Sequence, residues 1–389
     1  MSLPPLPFTA APVARLERPS LDELTARLHG EPVILTGLLE DSPLFRQLRE
    51  RPSLEEKLRL LRQEYFRDTR IEFDALPRES RGHYGASYGP DVSGFTEVPF
   101  EAFEDRLLRA ESSGEFVYLR SHPIAPDSLI EQGLRLGFLR FAPAQNVLRK
   151  IWLGSNGQVV NLHYDDFINF ICMFNGTKRV TMFGPDQLAD MYHAPFDLMS
   201  GGAQSSYVRL LDPDLQRFPR FRQALPNAKV AVIEPGDVLL IPPLWWHHVE
   251  SFSFNVMVNN WVLSVPLKTL VAMWRDLSNA IRLLAHGSGE ARARAREVFA
   301  RHVFAPGPTD ASPVPAELRE QVQRAAELVR ALPAFWREHH ARMYDEFVFQ
   351  RNGTPFPSEP GAFAALLERN AASASLFPNG AMLDAMPDA

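Results

Sequence analysis

The chain has 389 residues, of which 45% are hydrophobic, so it is long enough to bury a large core. Its formal net charge of -6 gives no electrostatic reason to expect nucleic-acid binding, and its single cysteine excludes intramolecular disulfides and favours a reducing cytoplasm. No apolar run approaches the roughly 18 residues needed to cross a membrane. The first residues also lack the basic and apolar segments of a secretory signal.

The N-terminal part predicts short helices around one strand. Residues 1–19 are rich in proline and predict an extended arm. Ser20 and Ser53 each precede a glutamate by three residues, which is the spacing of a capping box that opens a helix. Residues 32–37 between them predict a strand. Residues 68–98 are rich in glycine and predict a loop, either a surface connection or one wall of a substrate cleft.

Short strands separated by turn signals follow from about residue 114 to 264. This pattern is typical of a double-sheet jelly roll of the cupin type, so we expect a mainly β fold with α additions and a catalytic domain over 20–266. The pair Asn175-Gly176 predicts a tight hairpin turn. An insertion at about 186–229 interrupts the strands, and a segment of this length is usually functional or disordered.

The pattern becomes helical over 267–350. Apolar residues there fall on one helical stripe, namely Leu267, Leu270, Val271, Trp274, Leu277, Ile281 and Leu284. Pro315 is expected to open a second helix, which Pro333 ends or kinks. Residues 351–389 predict an irregular tail containing one short helix.

Three residues have the types and spacing of a metal centre. His163 and Asp165 lie two residues apart, and on a strand such residues face the same side, so both side chains can bind one ion. The adjacent histidines His247 and His248 follow a later apolar strand, and this pair would supply a third ligand. Two histidines and one carboxylate leave three positions open, as in non-haem Fe(II) oxygenases.

Lys178 stands out in the strand that follows Asn175-Gly176. The chain has 5 lysines against 36 arginines, so a lysine within an apolar strand is unusual here. A lysine in such a place is a compact point charge that suits a buried carboxylate.

These residues lie in stretches that resemble the JmjC/cupin-like family of Fe(II)- and 2-oxoglutarate-dependent oxygenases, and within it the hypoxia-inducible-factor asparaginyl hydroxylase type. The resemblance is specific over about 115–265 and weaker over 12–114. The stretches that carry it are His163-Tyr164-Asp165, the Asn169 position, Gly176-Thr177-Lys178-Arg179, Gly184-Pro185-Asp186-Gln187, Arg217-Phe218-Pro219, Pro235-Gly236-Asp237-Val238-Leu239, Trp245-Trp246-His247-His248-Val249-Glu250-Ser251 and Asn259-Asn260-Trp261.

The resemblance implies a JmjC-type double-stranded β-helix with N-terminal α/β elements and C-terminal helices. It also implies that His163, Asp165 and His247 are the catalytic ligands of Fe(II). His248 would then point outward along the strand, or contact the metal ligands without binding the metal itself. The C-terminal helices mediate homodimerisation in the family, so we expect a homodimer.

The family's co-substrates are 2-oxoglutarate and O2, and four residues match the family's co-substrate pocket. Lys178 and Tyr118 would bind the distal carboxylate of 2-oxoglutarate, while Asn169 and Asn259 would line the pocket. Relatives carry serine or threonine where this chain has Val160, so one neutral hydrogen bond of about 0.5–1.5 kcal/mol is missing or supplied elsewhere.

The resemblance further implies hydroxylation of a side chain in a peptide or protein, with release of succinate and CO2. An extended peptide would lie across the barrel mouth. Arg120, Gln204, Trp246 and Trp261 are the candidates for substrate contact. Arg120 would favour an acidic residue in the target or, alternatively, pair with a local carboxylate. Packing in the core is the usual role of a tryptophan.

Other functions remain open. The same family includes a tRNA wybutosine hydroxylase and histone-directed demethylases, so a nucleoside or an N-methyl-lysine are alternative substrates. The acidic net charge argues against both. A cupin barrel can also be a non-catalytic zinc-binding module. Lys178 and Tyr118 argue against this alternative, because a metal site alone needs no dicarboxylate pocket.

Overall fold

Two β-sheets form the centre of the chain between residues 11 and 262. The computed structural model describes residues 3–84, 97–193, 204–265, 287–305 and 316–349, together with 269–270, 272–273, 276–277, 280, 284 and 314. The chain divides into two units. The first unit is Met1–Gly184 with Val208–Ser264, and the second is Pro185–Tyr207 with Val265–Ala389.

Most of the described strands lie in the first unit. In chain order the described strands are β1 (Ala11–Pro12), β2 (Ala14–Glu17), β3 (Val33–Thr36), β4 (Arg70–Ile71), β5 (Asp74–Leu76), β6 (His83–Tyr84), β7 (Val98–Pro99), β8 (Phe116–Pro123), β9 (Val147–Gly154), β10 (Val159–Tyr164), β11 (Ile168–Asn175), β12 (Lys178–Phe183), β13 (Gln204–Ser205), β14 (Lys229–Ile233), β15 (Val238–Ile241), β16 (Trp246–Ser251) and β17 (Asn255–Val262). Of these, β13 belongs to the second unit.

Most strands of the first unit form a sandwich, while β4 and β7 pair as a separate two-stranded sheet. The larger sheet has the order β2-β3-β15-β11-β17-β9-β8-β5, and the smaller sheet contains β1-β14-β12-β16-β10, with β6 also paired to β10. Most neighbours are antiparallel, whereas β1 and β14, β2 and β3, and β6 and β10 pair in parallel. This arrangement confirms the predicted mainly β, double-sheet fold with helical additions.

Along the chain, six helices lie between strands and three follow the last strand among the described residues. They are α1 (Leu21–Thr25), α2 (Pro43–Arg49), α3 (Leu54–Leu60), α4 (Phe100–Ser113), α5 (Leu129–Leu134), α6 (Phe221–Ala224), α7 (Gly289–Phe299), α8 (Ala316–Ala331) and α9 (Ala334–Met343). Single turns of 3-10 helix lie at Arg78–Ser80, Gly137–Phe141, Ala144–Asn146, Pro185–Asp190 and Leu225–Asn227, and π-helical turns at Leu61–Tyr65, Ala300–Phe304 and Tyr344–Val348. Both predicted capping boxes are confirmed at the starts of α1 and α3, where Ser20 and Ser53 accept a hydrogen bond from the third helical residue.

The larger sheet buries both of its faces. Ile151, Phe170 and Val258 belong to an apolar cluster shared with the N-terminal helices. Ile171 and Met257 belong to a second cluster, which contains residues of both sheets and so fills the space between them. The alternation of neighbouring residues between the two clusters follows the two-residue period of a strand. It fixes which side chains enter the interior of the sandwich.

The predicted hairpin at Asn175-Gly176 is wrong. β11 pairs with β15 and β17 in the larger sheet, whereas β12 pairs with β14 and β16 in the smaller one. Both edges of β11 are therefore occupied, and the turn carries the chain from one sheet to the other. Gly176 takes φ +87°, and a Cβ there would lie 2.4 Å from the carbonyl oxygen of Phe254. The turn thus needs glycine for its close contact with the 253–255 segment.

Two segments predicted without regular structure contribute strands. Residues 11–17, within the predicted arm, add β1 to the smaller sheet and β2 to the larger one. Arg15 of this segment pairs with Asp237 through two hydrogen bonds of 2.9 and 3.0 Å. The predicted loop 68–98 contains β4, β5, β6 and the start of β7, and β6 pairs with β10. Residues 85–96 of that loop lie outside the described residues.

The second unit contains the helical part of the chain. Along α8 and its end, the spaced apolar residues Leu318, Val322, Ala325, Val329 and Leu332 are at most 5% exposed. The helix ends at Ala331, as Pro333 predicts. Part of the 267–284 stripe, the insertion residues 194–203, Pro315 and the predicted tail 351–389 lie outside the described residues. No helix within the described part of the chain is long and apolar enough to cross a membrane.

Candidate metal centre

His163, Asp165 and His247 converge in the first unit. Their ligand atoms all lie within 4.8 Å of one another. His163 on β10 is the direct cross-strand partner of His247 on β16, and their ring centroids are 4.1 Å apart. Asp165 follows the last residue of β10, with its Oδ2 3.7 Å from Nε2 of His247. One ion can therefore contact all three side chains.

Backbone carbonyls hold both histidine rings. Nδ1 of His163 lies 2.7 Å from the carbonyl oxygen of Asn161, and Nδ1 of His247 lies 2.9 Å from that of Trp245. A carbonyl oxygen only accepts, so each Nδ1 carries the proton and donates it. Each Nε2 then keeps its lone pair for a metal, which is the tautomer that metal-binding histidines need.

The carboxylate of Asp165 is held by two donors. Its Oδ2 accepts a hydrogen bond of 3.1 Å from Nδ2 of Asn169 and one of 3.0 Å from Nε1 of Trp261. Asn169 is itself fixed, because its Oδ1 accepts a hydrogen bond of 2.8 Å from Nδ2 of Asn259. The two asparagines, predicted to line the co-substrate pocket, thus form a relay that ends on the carboxylate. Such supporting contacts orient metal ligands and tune their basicity.

Burial favours the neutral form of His247, which is the form that binds a metal. Its pKa is lowered below the ordinary value by burial and by the neighbouring His163. His247 is therefore a neutral imidazole at neutral pH and can bind a metal without first losing a proton. The donor set of two imidazoles and one carboxylate fits Fe(II), with open positions for further ligands.

Lys178 lies inside the same unit at the start of β12. It is 1% exposed, and its Nζ donates a hydrogen bond of 2.7 Å to Oγ of Ser251. Nζ also lies 5.7 Å from the centre of the Tyr118 ring. Burial lowers the pKa of Lys178 to about 7. Within residues 3–84, 97–193 and 204–265, no carboxylate forms an ion pair with it, so an anionic ligand would remove the cost of burying this charge.

Arg120 has a carboxylate partner within the chain. It forms a close ion pair with Asp74, which is 7% exposed. This is the local pairing that the sequence left open as the alternative to substrate contact. Asp74 itself was not predicted, because it lies in a segment without a motif and reaches Arg120 only through the pairing of β5 with β8. A role of Arg120 in substrate binding remains a prediction.

The two candidate tryptophans take different positions. Trp246 lies one residue from His247 and so faces the other side of β16, where it is fully buried against Tyr164 at a ring distance of 4.8 Å. That position favours packing over substrate contact. Trp261 instead donates to Asp165, a role that the sequence did not predict. Trp261, Asn259 and Asn169 all occupy matched positions, but their contacts with Asp165 and with one another depend on the register of β11 against β17.

Gln204, His248 and Ser251 are the remaining residues of interest. Gln204 is buried in the second unit, and its role in substrate binding remains a prediction. His248 is 1% exposed opposite Thr181, on the other side of β16 from His247. Ser251 was part of a matched stretch but had no predicted role. It lies four residues after His247 on β16 and therefore shares its face, which sequence periodicity could have shown.

Comparison with known proteins gives one matching family and several similar proteins. A family model described as a cupin-like domain matches residues 23–264. HSPB1-associated protein 1 of Homo sapiens is 34% identical over 116 residues, which cover 29% of this chain and 23% of that protein. tRNA wybutosine-synthesizing protein 5 of Danio rerio is 30% identical over 182 residues, covering 42% of this chain and 52% of that protein. Lysine-specific demethylase JMJ31 of Arabidopsis thaliana is 29% identical over 153 residues, which cover 37% of this chain and 27% of that protein. The chain spans about a quarter to about half of the length of these relatives.

Proposed function

The chain belongs to the cupin-like domain family, and from that premise we propose that it is an Fe(II)- and 2-oxoglutarate-dependent oxygenase. One observation carries the proposal. A site of two histidines and one aspartate lies in the same sandwich as a buried lysine that has no described carboxylate partner. A zinc-binding module would need the two histidines and the aspartate, but it would not need the buried lysine.

The residues have separate roles in this proposal. His163, Asp165 and His247 would bind Fe(II), which with 2-oxoglutarate and O2 supplies the oxidation of a C–H bond and the release of succinate and CO2. Lys178 would bind the distal carboxylate of 2-oxoglutarate, while Ser251 holds its ammonium group in place. Tyr118, which is buried beside Lys178, would contact the same carboxylate.

The protein's own part is orientation and exclusion of water. Asn259, Asn169 and Trp261 hold the Asp165 carboxylate in one orientation before any ligand arrives. The carbonyls of Asn161 and Trp245 do the same for the two histidines. Preorganised ligands need no rearrangement at the moment of reaction, which is the main contribution a protein makes to such chemistry.

We further propose that the prime substrate is a side chain in a peptide or protein. Two of the similar proteins have names that refer to proteins or to lysine residues, HSPB1-associated protein 1 and lysine-specific demethylase JMJ31. The relative named for tRNA wybutosine synthesis supports the alternative of a nucleoside substrate. The net charge of -6 gives no general attraction to a phosphate backbone and so favours the peptide.

Coupled turnover tests both parts of the proposal. The protein is incubated with Fe(II), 2-oxoglutarate and O2, together with peptide libraries, tRNA or free metabolites, and succinate and substrate mass are followed. We expect succinate release that depends on iron, and gain of one oxygen atom on a peptide. Coupled turnover on tRNA or a metabolite with none on any peptide would contradict the substrate class. Absence of iron-dependent succinate formation and of 2-oxoglutarate binding would contradict the oxygenase itself.

A further inference from the structure

Trp152 carries a buried hydrogen-bond donor that the proposed function does not yet use. The residue lies on β9, and its indole nitrogen Nε1 is buried without an acceptor among the described residues. An indole N–H donates and never accepts, and buried donors in native proteins are normally paired. This donor therefore marks a place where a ligand can supply an acceptor.

The alternation of side chains along β9 places the indole in the interior of the sandwich. Ile151 and Leu153 pack in the cluster shared with the N-terminal helices. Trp152 instead packs against the cluster between the two sheets, to which its cross-strand partner Met257 belongs. Val160 on β10 packs against the same cluster and has no polar atom in its side chain. The donor therefore lies among apolar side chains on the inner face of β9.

Tyr118 connects the indole to the proposed co-substrate site. The ring centroids of Tyr118 and Trp152 are 5.7 Å apart, and Nζ of Lys178 lies 5.7 Å from the centre of the same Tyr118 ring. Trp152 belongs to the larger sheet and Lys178 to the smaller one. Side chains from both sheets thus bring an ammonium group and an indole N–H to the two sides of one tyrosine.

We propose that Trp152 donates a hydrogen bond to the distal carboxylate of 2-oxoglutarate, beside Lys178 and Tyr118. This inference rests on the proposed oxygenase function and adds a binding residue to its co-substrate site. An ammonium group and an indole N–H both donate, so together they suit an anion and disfavour a cationic side chain. A carboxylate is also a stronger acceptor than a neutral carbonyl group. The indole would supply the hydrogen bond for which Val160 has no donor.

The affinity for 2-oxoglutarate measures this hydrogen bond without turnover. Fe(II)-loaded protein is titrated anaerobically with 2-oxoglutarate, as wild type and as Trp152→Phe, which loses the N–H and keeps an aromatic ring. We expect the dissociation constant to rise about tenfold or more in Trp152→Phe, because a hydrogen bond to a charged group is lost. The control Trp246→Phe removes a buried indole that faces away from His247, and its dissociation constant should stay within about twofold of the wild-type value.

A ligand without the distal carboxylate separates the hydrogen bond from packing of the ring. In 2-oxopentanoate a methyl group takes the place of that carboxylate, while the keto and carboxylate groups at the other end remain. Its affinity should differ by less than about twofold between wild type and Trp152→Phe. Binding of this ligand also shows that the variant is folded. An equal loss of affinity for both ligands would assign the effect to packing and overturn the inference.

The indole proton itself gives a second readout by nuclear magnetic resonance. The chain has six tryptophans, so in protein with isotope-labelled tryptophan the signal that Trp152→Phe removes identifies Trp152. In protein loaded with Zn(II), which is diamagnetic, 2-oxoglutarate should move this proton signal downfield, as a hydrogen bond to a carboxylate does. 2-Oxopentanoate should leave the signal near its position in the ligand-free protein. No downfield shift with bound 2-oxoglutarate would contradict the hydrogen bond.

The remaining outcomes separate this inference from the proposed function. If Trp152→Phe bound 2-oxoglutarate as tightly as wild type while Lys178→Ala bound it weakly, the inference would be wrong and the proposed function would stand. Loss of peptide binding in Trp152→Phe with unchanged 2-oxoglutarate affinity would assign the indole to the prime substrate instead. If the wild type did not bind 2-oxoglutarate at all, the proposed function would fail first.

Discussion

Two hydrogen bonds orient the Asp165 carboxylate at the candidate metal centre. Trp261 and Asn169 both donate to Oδ2 of this carboxylate, so the carboxylate is oriented without an ion. The sequence predicted three candidate ligands, His163 and Asp165 from their types and spacing and His247 from the family resemblance. It could not assign Trp261 or the asparagine relay, because those contacts depend on the register of β11 against β17.

We expect Trp261→Phe to weaken metal binding without unfolding the protein. The change removes the indole donor to Asp165 and keeps an aromatic ring, and loss of such a supporting contact typically costs about 10–100-fold in metal affinity. Anaerobic titration with Fe(II), or titration with Mn(II), measures this directly. Trp246→Phe is the matched control. It also removes an indole, but Trp246 lies on the face of β16 that points away from His247 and the candidate metal site. Equal metal affinity in wild type and Trp261→Phe would show that the hydrogen bond has no part in holding the ligand.

Lys178 makes the predicted 2-oxoglutarate affinity depend on pH. Burial lowers its pKa to about 7, so the free protein loses this charge as the pH rises through that value. A bound dicarboxylate favours the charged form and raises the pKa, so binding above pH 7 takes up a proton. The apparent dissociation constant should therefore rise with pH above about 7, by up to about tenfold per pH unit.

The Lys178→Ala variant tests the same assignment. Removing the partner of a buried carboxylate costs about 3–5 kcal/mol, so affinity for 2-oxoglutarate should fall roughly a hundredfold or more. The pH dependence above about 7 should flatten as well. Titrations between about pH 6 and 9 measure both effects. If affinity and pH dependence were unchanged, a cation other than Lys178 would hold the distal carboxylate.

At the scale of elements, the hydrophobic pattern predicted the strands better than their partners. Short apolar runs with turn signals correctly indicated a double-sheet fold, because strand period and burial are local properties. The connection at Gly176 was predicted as a hairpin because an Asn-Gly pair usually closes one. In the structure β15 and β17 flank β11, and the sequence of the turn does not contain that information.

We expect Gly176→Ala to destabilise the first unit. Its φ of +87° is rare for a residue with a side chain, and the new Cβ would lie 2.4 Å from the carbonyl oxygen of Phe254. The loss should exceed about 1 kcal/mol in the free energy of unfolding, measured by urea titration. Gly137→Ala is the control, because a Cβ there would meet no atom within 4 Å. Similar stability of both variants would contradict the tight turn.

At the scale of the whole molecule, the similarity to known proteins lies in the strand-rich part of the chain. The family match at residues 23–264 includes the three candidate ligands and Lys178, and ends before the helical region predicted over 267–350. The apolar residues along α8 are buried within the chain, so that stripe is not free to form a dimer seam. Homodimerisation through other C-terminal surfaces remains a prediction, which light scattering on the full chain tests.

Anaerobic absorption spectroscopy tests the central claim most directly. Fe(II) and 2-oxoglutarate are added to the wild-type protein, to His247→Ala and to His248→Ala, the matched variant one residue away. We predict a weak visible charge-transfer band for wild type and His248→Ala, and none for His247→Ala, because His247 and not His248 is the proposed ligand. No band in the wild type, as expected of a zinc-binding cupin, would contradict the account. Loss of the band in His248→Ala with a full band in His247→Ala would contradict the ligand assignment.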